Sequence, residues 1–250
     1  MHLRFHFFTA MPDDRRHRGA HPEDPALFGP DWHAPLRQAV HDLSWLLSRG
    51  YASVSALKVV GDRFNLSARQ RTAVMRCAAP DEAVADRLPR MTSLADAGDQ
   101  RLLVDGYNVL TTVEAGLAGG VIIVGRDGCW RDMASMHGTW RRVEETPDAL
   151  ALIGQQIHAD PARPREVVWY LDSPVSNSGR LKGVIEEVAR GHGWPWRVEL
   201  VLDPDKPLAA AHDDLVATAD SVILDRCGQW LPLARDVVSR LTGVWRVDLS

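Results

Sequence analysis

Three short apolar runs in this chain end in an aspartate: Arg101-Leu-Leu-Val-Asp105, Glu166-Val-Val-Trp-Tyr-Leu-Asp172 and Leu215-Val-Ala-Thr-Ala-Asp220. Each reads as a buried β-strand. Ligands of an open α/β sheet gather outside the carboxyl ends of its strands. Neighbouring strands would therefore bring Asp105, Asp172 and Asp220 to one crevice. Carboxylates so placed repel one another unless protons or a cation intervene. Oxygen donors without Cys or His suit Mg²⁺ or Mn²⁺. Asp214, just before the third run, and Asp127, after the strand Gly120-Val-Ile-Ile-Val124, are further candidate ligands. A single aspartate at a strand end often does no more than cap the next helix or turn; recurrence at three ends is what points to a metal.

The segment Asp172-Ser-Pro-Val-Ser-Asn-Ser-Gly-Arg-Leu-Lys182 leads from the second run into a helix. Ser176 or Ser178 is expected to cap that helix. Arg180 and Lys182 then fall in its first turn, where cations oppose the helix dipole. An anion bound at the helix start would resolve that conflict, so Ser176, Asn177, Ser178, Arg180 and Lys182 read as a phosphate-binding set. Asn108, in Asp105-Gly-Tyr-Asn108, could orient water or meet a phosphate oxygen, with Gly106 permitting a tight turn. Asp105, Asn108, Asp172 and Asp220 are thus the candidate catalytic residues, with metal-activated water as nucleophile.

The elements that must position these groups fall into two regions. Leu36, Val40, Leu43 and Leu47 share one helical face, and a second helix is expected over about 53–64. Ser67-Ala-Arg-Gln70 has the form of a capping box opening a third. Arg69 and Arg76 share a face of that helix, either for RNA phosphates or for docking on the acidic second region. Residues 11–35 read as an irregular lead-in, and the Pro- and Asp-rich stretch 80–89 as a linker. Strands alternate with helical patterns beyond residue 100, with further strands at Trp196–Leu202 and Val244–Leu249. The expected architecture is a helical domain over 1–90 and a parallel, doubly wound α/β domain over 98–250.

With 250 residues, of which 45% are hydrophobic, the chain can build one or two real cores. No apolar run approaches the roughly 18 residues of a membrane span, so a membrane partner is not expected. Three scattered cysteines form no CxxC pair and fit a reducing cytoplasm. The net charge of −4 supplies no global basic field, so any nucleic-acid contact must be local.

The Asp105-Gly-Tyr-Asn108 strand end resembles the opening motif of PIN-like nucleases, particularly the NYN branch, and Val216-Ala-Thr-Ala-Asp220-Ser221 looks like their last acidic strand end. Nearly the whole chain is similar to an uncharacterised bacterial and archaeal family that joins a helical domain to a PIN-like domain. The matching stretches include Arg18-Gly-Ala-His-Pro22, Trp45-Leu-Leu-Ser-Arg-Gly-Tyr51, Asp127-Gly128 with Arg131-Asp132, and Leu171-Asp-Ser-Pro-Val-Ser-Asn-Ser-Gly179. The resemblance implies a PIN-like parallel sheet, metal-dependent RNA cleavage and an assembly that is often a homodimer. It also implies a further acid on the helix after the first strand, for which Glu114, Asp127 and Asp132 all qualify. The expected function is a Mg²⁺- or Mn²⁺-dependent ribonuclease. The alternatives are a non-catalytic RNA-binding module on the same scaffold and a metal-dependent phosphatase or nucleotide hydrolase.

Overall fold

The computed structural model describes residues 17–134, 138–159 and 164–250. The expectations for the first part of the lead-in, through residue 16, lie outside it. The amino-terminal region is helical: α1 (Asp24–Leu27), α2 (Pro30–Leu47), α3 (Ser53–Arg63), α4 (Ala68–Cys77) and α5 (Asp81–Arg90). Pro30 opens α2, where a missing N–H costs nothing. The helix therefore starts inside the stretch whose prolines suggested irregular chain. α2 buries Leu36, Val40 and Leu43 as the spacing predicts, with Ala39 beside them, while Leu47 at its end is only partly buried. The capping box forms: the Gln70 N–H donates to Ser67 Oγ at 3.3 Å, and the Ser67 N–H donates to Gln70 Oε1 at 3.0 Å.

The stretch 80–89 is not a linker but α5. Pro80 stands just before its first turn and Pro89 only in its last. Asp81 and Glu82 at the start and Arg87 and Arg90 at the end complement the helix dipole. Prolines at the two ends of a short helix leave its middle intact.

The remaining elements are β1 (Arg101–Asp105), α6 (Gly106–Leu117), β2 (Ile122–Val124), β3 (Trp130–Asp132), α7 (Thr146–His158), β4 (Glu166–Asp172), α8 (Ser178–His192), β5 (Trp196–Val201), α9 (Asp205–Ala209), β6 (Leu215–Ala217), α10 (Ser221–Leu224), β7 (Trp230–Leu231), α11 (Leu233–Val238) and β8 (Arg246–Asp248). Five strands form a parallel sheet in the order β5-β4-β1-β6-β7. The chain winds outward from β1 in one direction, then returns to continue in the other. Side-chain alternation splits the sheet's two faces. Leu102 and Val104 pack with α6, α7, α8 and α11, while Leu103, Val168 and Val216 pack with α9 and α10. The chain is thus α/β, with helices on both faces of its sheet.

β2 and β8 are strands as expected but leave the main sheet, pairing with β3 in a small sheet of order β3-β2-β8. Val121, Ile123, Val247 and Leu249 face the helices and share one core with Leu36, Val40, Leu43 and Val74. Arg69 and Arg76 serve this junction. Arg69 pairs with Asp24 and donates to the Met133 carbonyl at 3.1 Å, and Arg76 donates to the carbonyls of Asp132 and Ala134. No helix among the described residues is long and apolar enough to cross a membrane.

A shared core predicts that the helical region and the sheet unfold together. Ile123→Ala should cost about 2–5 kcal/mol and lower one common transition, followed by far-ultraviolet circular dichroism and by tryptophan fluorescence. Two separated transitions would contradict the shared core.

Candidate active site at the carboxyl ends of the strands

The strand order reverses between β1 and β6, and the crevice at such a switch point is where doubly wound sheets bind ligands. Asp105 ends β1, and Thr218, Ala219 and Asp220 follow β6 directly. Asp220 is three residues beyond its strand rather than at its end. Its Oδ1 accepts the N–H groups of Val222, at 2.7 Å, and Ile223, capping α10. Asp172 ends β4, two residues past Tyr170, the register partner of Asp105. Gly106 turns the chain from β1 into α6 for a steric reason: a Cβ there would lie 2.5 Å from the Leu171 side chain and 2.8 Å from the Tyr170 carbonyl. α6 can press on β4 only because that side chain is missing.

Short hydrogen bonds tie Asp105 to the segment after β6. Thr218 Oγ1 donates to Asp105 Oδ2 at 2.7 Å and accepts the Asp220 N–H at 3.0 Å. Asn108 Oδ1 accepts the Ala219 N–H at 2.9 Å. Asn108 therefore positions the loop that carries Asp220. Burial pushes the Asp105 carboxyl up to about 7; the Thr218 hydroxyl works against this, and the charges of Asp220 and Asp205 add to it. Asp172 is raised by burial and by Asp205 and Asp203, and Asp205 by burial and by Asp220 and Asp203. Tyr107 Oη is buried without a hydrogen-bond partner among the described residues, and burial together with the charge of Asp172 lifts the phenol to about 12.

Asp105, Asp172, Asp205 and Asp220 make no ion pair within the described residues. Their oxygen donors, mutual repulsion and the unpartnered Tyr107 phenol are of a kind that suits a hard divalent cation. Among the described residues no three His, Cys, Asp or Glu side chains are grouped closely enough to enclose one.

Other expected site residues are placed elsewhere. Asp214 precedes β6, at the amino end of the sheet, and Arg101 donates to it at 2.5 and 2.9 Å. Asp127 is buried between Arg87 and Arg131, which donate to it at 2.7–2.9 Å. Glu114 lies on the far side of α6, taken by Arg18 and by the Thr146 hydroxyl at 2.6 Å. Asp132 accepts from the hydroxyls of Thr111 and Thr112. None of the three acids offered as the fourth ligand reaches Asp105.

The Ser/Asn loop is also rearranged. Asn177, with φ of 68°, stands at the start of α8, so neither serine caps it. Asn177 Nδ2 donates to the Trp140 carbonyl at 3.0 Å, and the Ser176 backbone pairs with Gly138 and Trp140. Ser178 Oγ donates to the Ser173 carbonyl, and Lys182 Nζ to the Val198 carbonyl at 3.0 Å. Arg180 stays exposed with no side-chain partner among the described residues.

Three crevice residues were missing from the expected set. Asp203 and Asp205 follow β5, which is a neighbour of β4, so the strand-end rule would have found them had the strand order been known. Thr218 carried no sequence signal beyond its place beside Asp220.

A parallel α/β sheet with an acidic crevice at its switch point defines the class. The chain belongs to the family described as "Domain of unknown function (DUF5616)", which matches residues 94–236, more than half its length. Residues 35–90 match a second family, "Protein of unknown function (DUF434)". The chain is 29% identical over 189 residues to "Uncharacterized protein MJ0935" of Methanocaldococcus jannaschii, covering 76% of this chain and 88% of the relative. No solved structure matches.

Two opposite pH dependences follow. Asp105, raised from 3.8 to about 7, binds its proton more tightly folded than unfolded. Its contribution is full below about pH 4 and is lost as pH rises through about 7. Asp105→Asn should therefore be more stable than the wild type at pH 8, by an amount on the order of a few kcal/mol, and equal to it near pH 4, as read from urea midpoints. Burial would raise Asp127 as well, but Arg131 and Arg87 hold it down at about 2. Its contribution is present above about pH 4 and lost as pH falls through about 2. Asp127→Asn should cost about 3–5 kcal/mol at neutral pH, because two buried guanidinium groups lose their counter-charge.

Proposed function

We propose that this protein is a divalent-cation-dependent phosphodiester hydrolase with a PIN-like fold, acting on RNA. The observation that carries the reading is the unneutralised group Asp105, Asp172, Asp205 and Asp220 at the switch point, with Asp105 raised to about 7. The strand order, with β1 central and acids after β1, β4, β5 and β6, supports it. Asp105, Asp172, Asp205 and Asp220, which do not enclose a cation as they stand, would supply the oxygen donors to a Mg²⁺ or Mn²⁺ ion that drew them together. When bound, such an ion lowers the pKa of a coordinated water and offsets charge on the phosphoryl oxygens.

The chain's own groups do the rest. Thr218 donates to one oxygen of Asp105, and the Asn108 N–H also acts on that carboxylate, so its orientation is set before a ligand arrives. Asn108 holds the 218–220 loop and thereby sets the distance from Asp105 to Asp220. Tyr107 offers a phenolic O–H with no internal acceptor, suited to a phosphate oxygen or an ordered water. Cys77, Cys129 and Cys227 are free and buried, in keeping with a reducing compartment.

Mn²⁺ titration calorimetry run beside a mixed-sequence RNA cleavage assay tests the reading. The wild type should bind the metal and cut RNA, while Asp105→Asn and Asp205→Asn should each lose about a hundredfold or more in rate. RNA binding with neither metal uptake nor cleavage would mark a non-catalytic module. Release of inorganic phosphate from mononucleotides without cutting the polymer would mark a phosphatase.

A further inference from the structure

A cleft of about 520 Å³ opens beside the start of α8. Arg141, Arg142 and Arg180 line it, against one acid, Glu144. The three arginine side chains are exposed and have no hydrogen bond or ion pair among the described residues. Arg18, Arg69, Arg76, Arg87, Arg90, Arg101, Arg126 and Arg131 end on carboxylates or carbonyls, whereas Arg165, Arg190, Arg226 and Arg240 are, like these three, without such a partner among the described residues. Three unspent guanidinium groups from two separate elements converge on one concavity in a chain whose net charge is −4.

The rest of the lining has a different chemistry. Trp140 and Val143 back the cleft as buried residues and Pro147 supplies partly exposed apolar surface, while Trp140 Nε1 has no hydrogen-bond partner among the described residues. Apolar surface beside fixed positive charges fits a ligand with alternating apolar and anionic parts, which describes bases and phosphates. The cleft is also anchored to the crevice. Asn177 lines it, and only five residue-to-residue steps of chain lead to Asn177 from Asp172 at the end of β4. Those steps can span at most about 18 Å. Pairing of Ser176 with Gly138 and Trp140 holds the two walls together.

We propose that this cleft is a phosphate-backbone subsite for single-stranded RNA, holding the strand next to the acidic crevice. It rests on the hydrolase reading for what happens to the strand, but not for the binding itself. The consequence is a preference for polymer: a mononucleotide can occupy the crevice or the cleft, whereas a strand engages both. Arginine is suited to the task because its planar donors grip phosphate oxygens in pairs.

The test is fluorescence anisotropy with a labelled, mixed-sequence single-stranded oligoribonucleotide, in EDTA so that nothing is cleaved, across a salt series. Arg141→Ala/Arg142→Ala/Arg180→Ala should raise Kd by about tenfold or more at low salt. The slope of log affinity against log salt should fall by about 2, since each lost phosphate contact removes about 0.7. Arg180→Ala alone should remove about 0.7 and serves if the triple variant folds poorly. A charge-matched control, Arg37→Ala/Arg49→Ala/Arg63→Ala on the helical region, should bind as the wild type does. The proposal is overturned if the cleft variants bind normally, or if the control weakens binding equally. Cleavage by a wild type whose cleft variants bind normally would remove the subsite and leave the hydrolase reading standing. Cleft-dependent binding without cleavage in Mn²⁺ would do the reverse.

Discussion

One buried carboxylate, Asp127, holds the molecule's parts in register. Arg87 reaches it from α5 and Arg131 from β3, and the Cys129 N–H completes the set of donors to it. The two arginines then reach outward. Arg131 Nε donates to the Ala219 carbonyl at 2.9 Å, while Arg87 meets Asp225 and the Ser221 carbonyl. The amino-terminal helices, the small sheet and the 218–225 segment thus converge on one charge. Taking three ions out of water is expensive, and a buried ion network seldom adds net stability over apolar packing. What it adds is uniqueness of position, because these donors and acceptors are satisfied in one arrangement only. Gly125 is part of that fit, since a Cβ there would lie 2.7 Å from Arg131 Nη1.

The crevice inherits its geometry from this junction. Thr218, Ala219 and Asp220 are each fixed by a different neighbour: Asp105, Asn108 with Arg131, and the start of α10. A loop so held spends little entropy on ordering when a ligand arrives. The helical region is therefore structurally tied to the acidic crevice, although none of its described residues hydrogen-bonds to Asp105, Asp172, Asp205 or Asp220.

Where the sequence was legible, a local rule was enough. Val-, Leu- and Ile-rich runs announced β1 and β4 with their end residues correct, and Ser67 with Gln70 announced α4. Local rules failed wherever pairing was distant. The pattern in Gly120–Val124 is a strand's, but nothing in it says that its partner is Arg246–Asp248 rather than β1. Asp127 looked like a ligand because its two arginines lie 40 residues before it and 4 after. Asp205 went unseen because the acid follows a turn instead of ending the strand. The Ser-Asn-Ser loop looked like a phosphate seat because its contact with Gly138–Trp140 leaves no trace in spacing.

Charge pairing separates the crevice from the rest of the molecule. The chain holds 29 basic residues, three of them lysine, which leaves 26 arginines. Asp24, Glu114, Asp127, Asp132 and Asp214, all wholly or largely buried, each meet one of those arginines. Among the described residues Asp105 and Asp220 accept from a hydroxyl and peptide N–H groups, and none of Asp105, Asp172, Asp205 and Asp220 pairs with a base. Where arginine is so abundant, an acid left without it in a half-buried crevice carries a cost that burial and like charge both raise. Natural chains keep such destabilised groups where function requires them. The same contrast runs the other way at Arg141, Arg142 and Arg180, which line one cleft and have no carboxylate or carbonyl partner among the described residues.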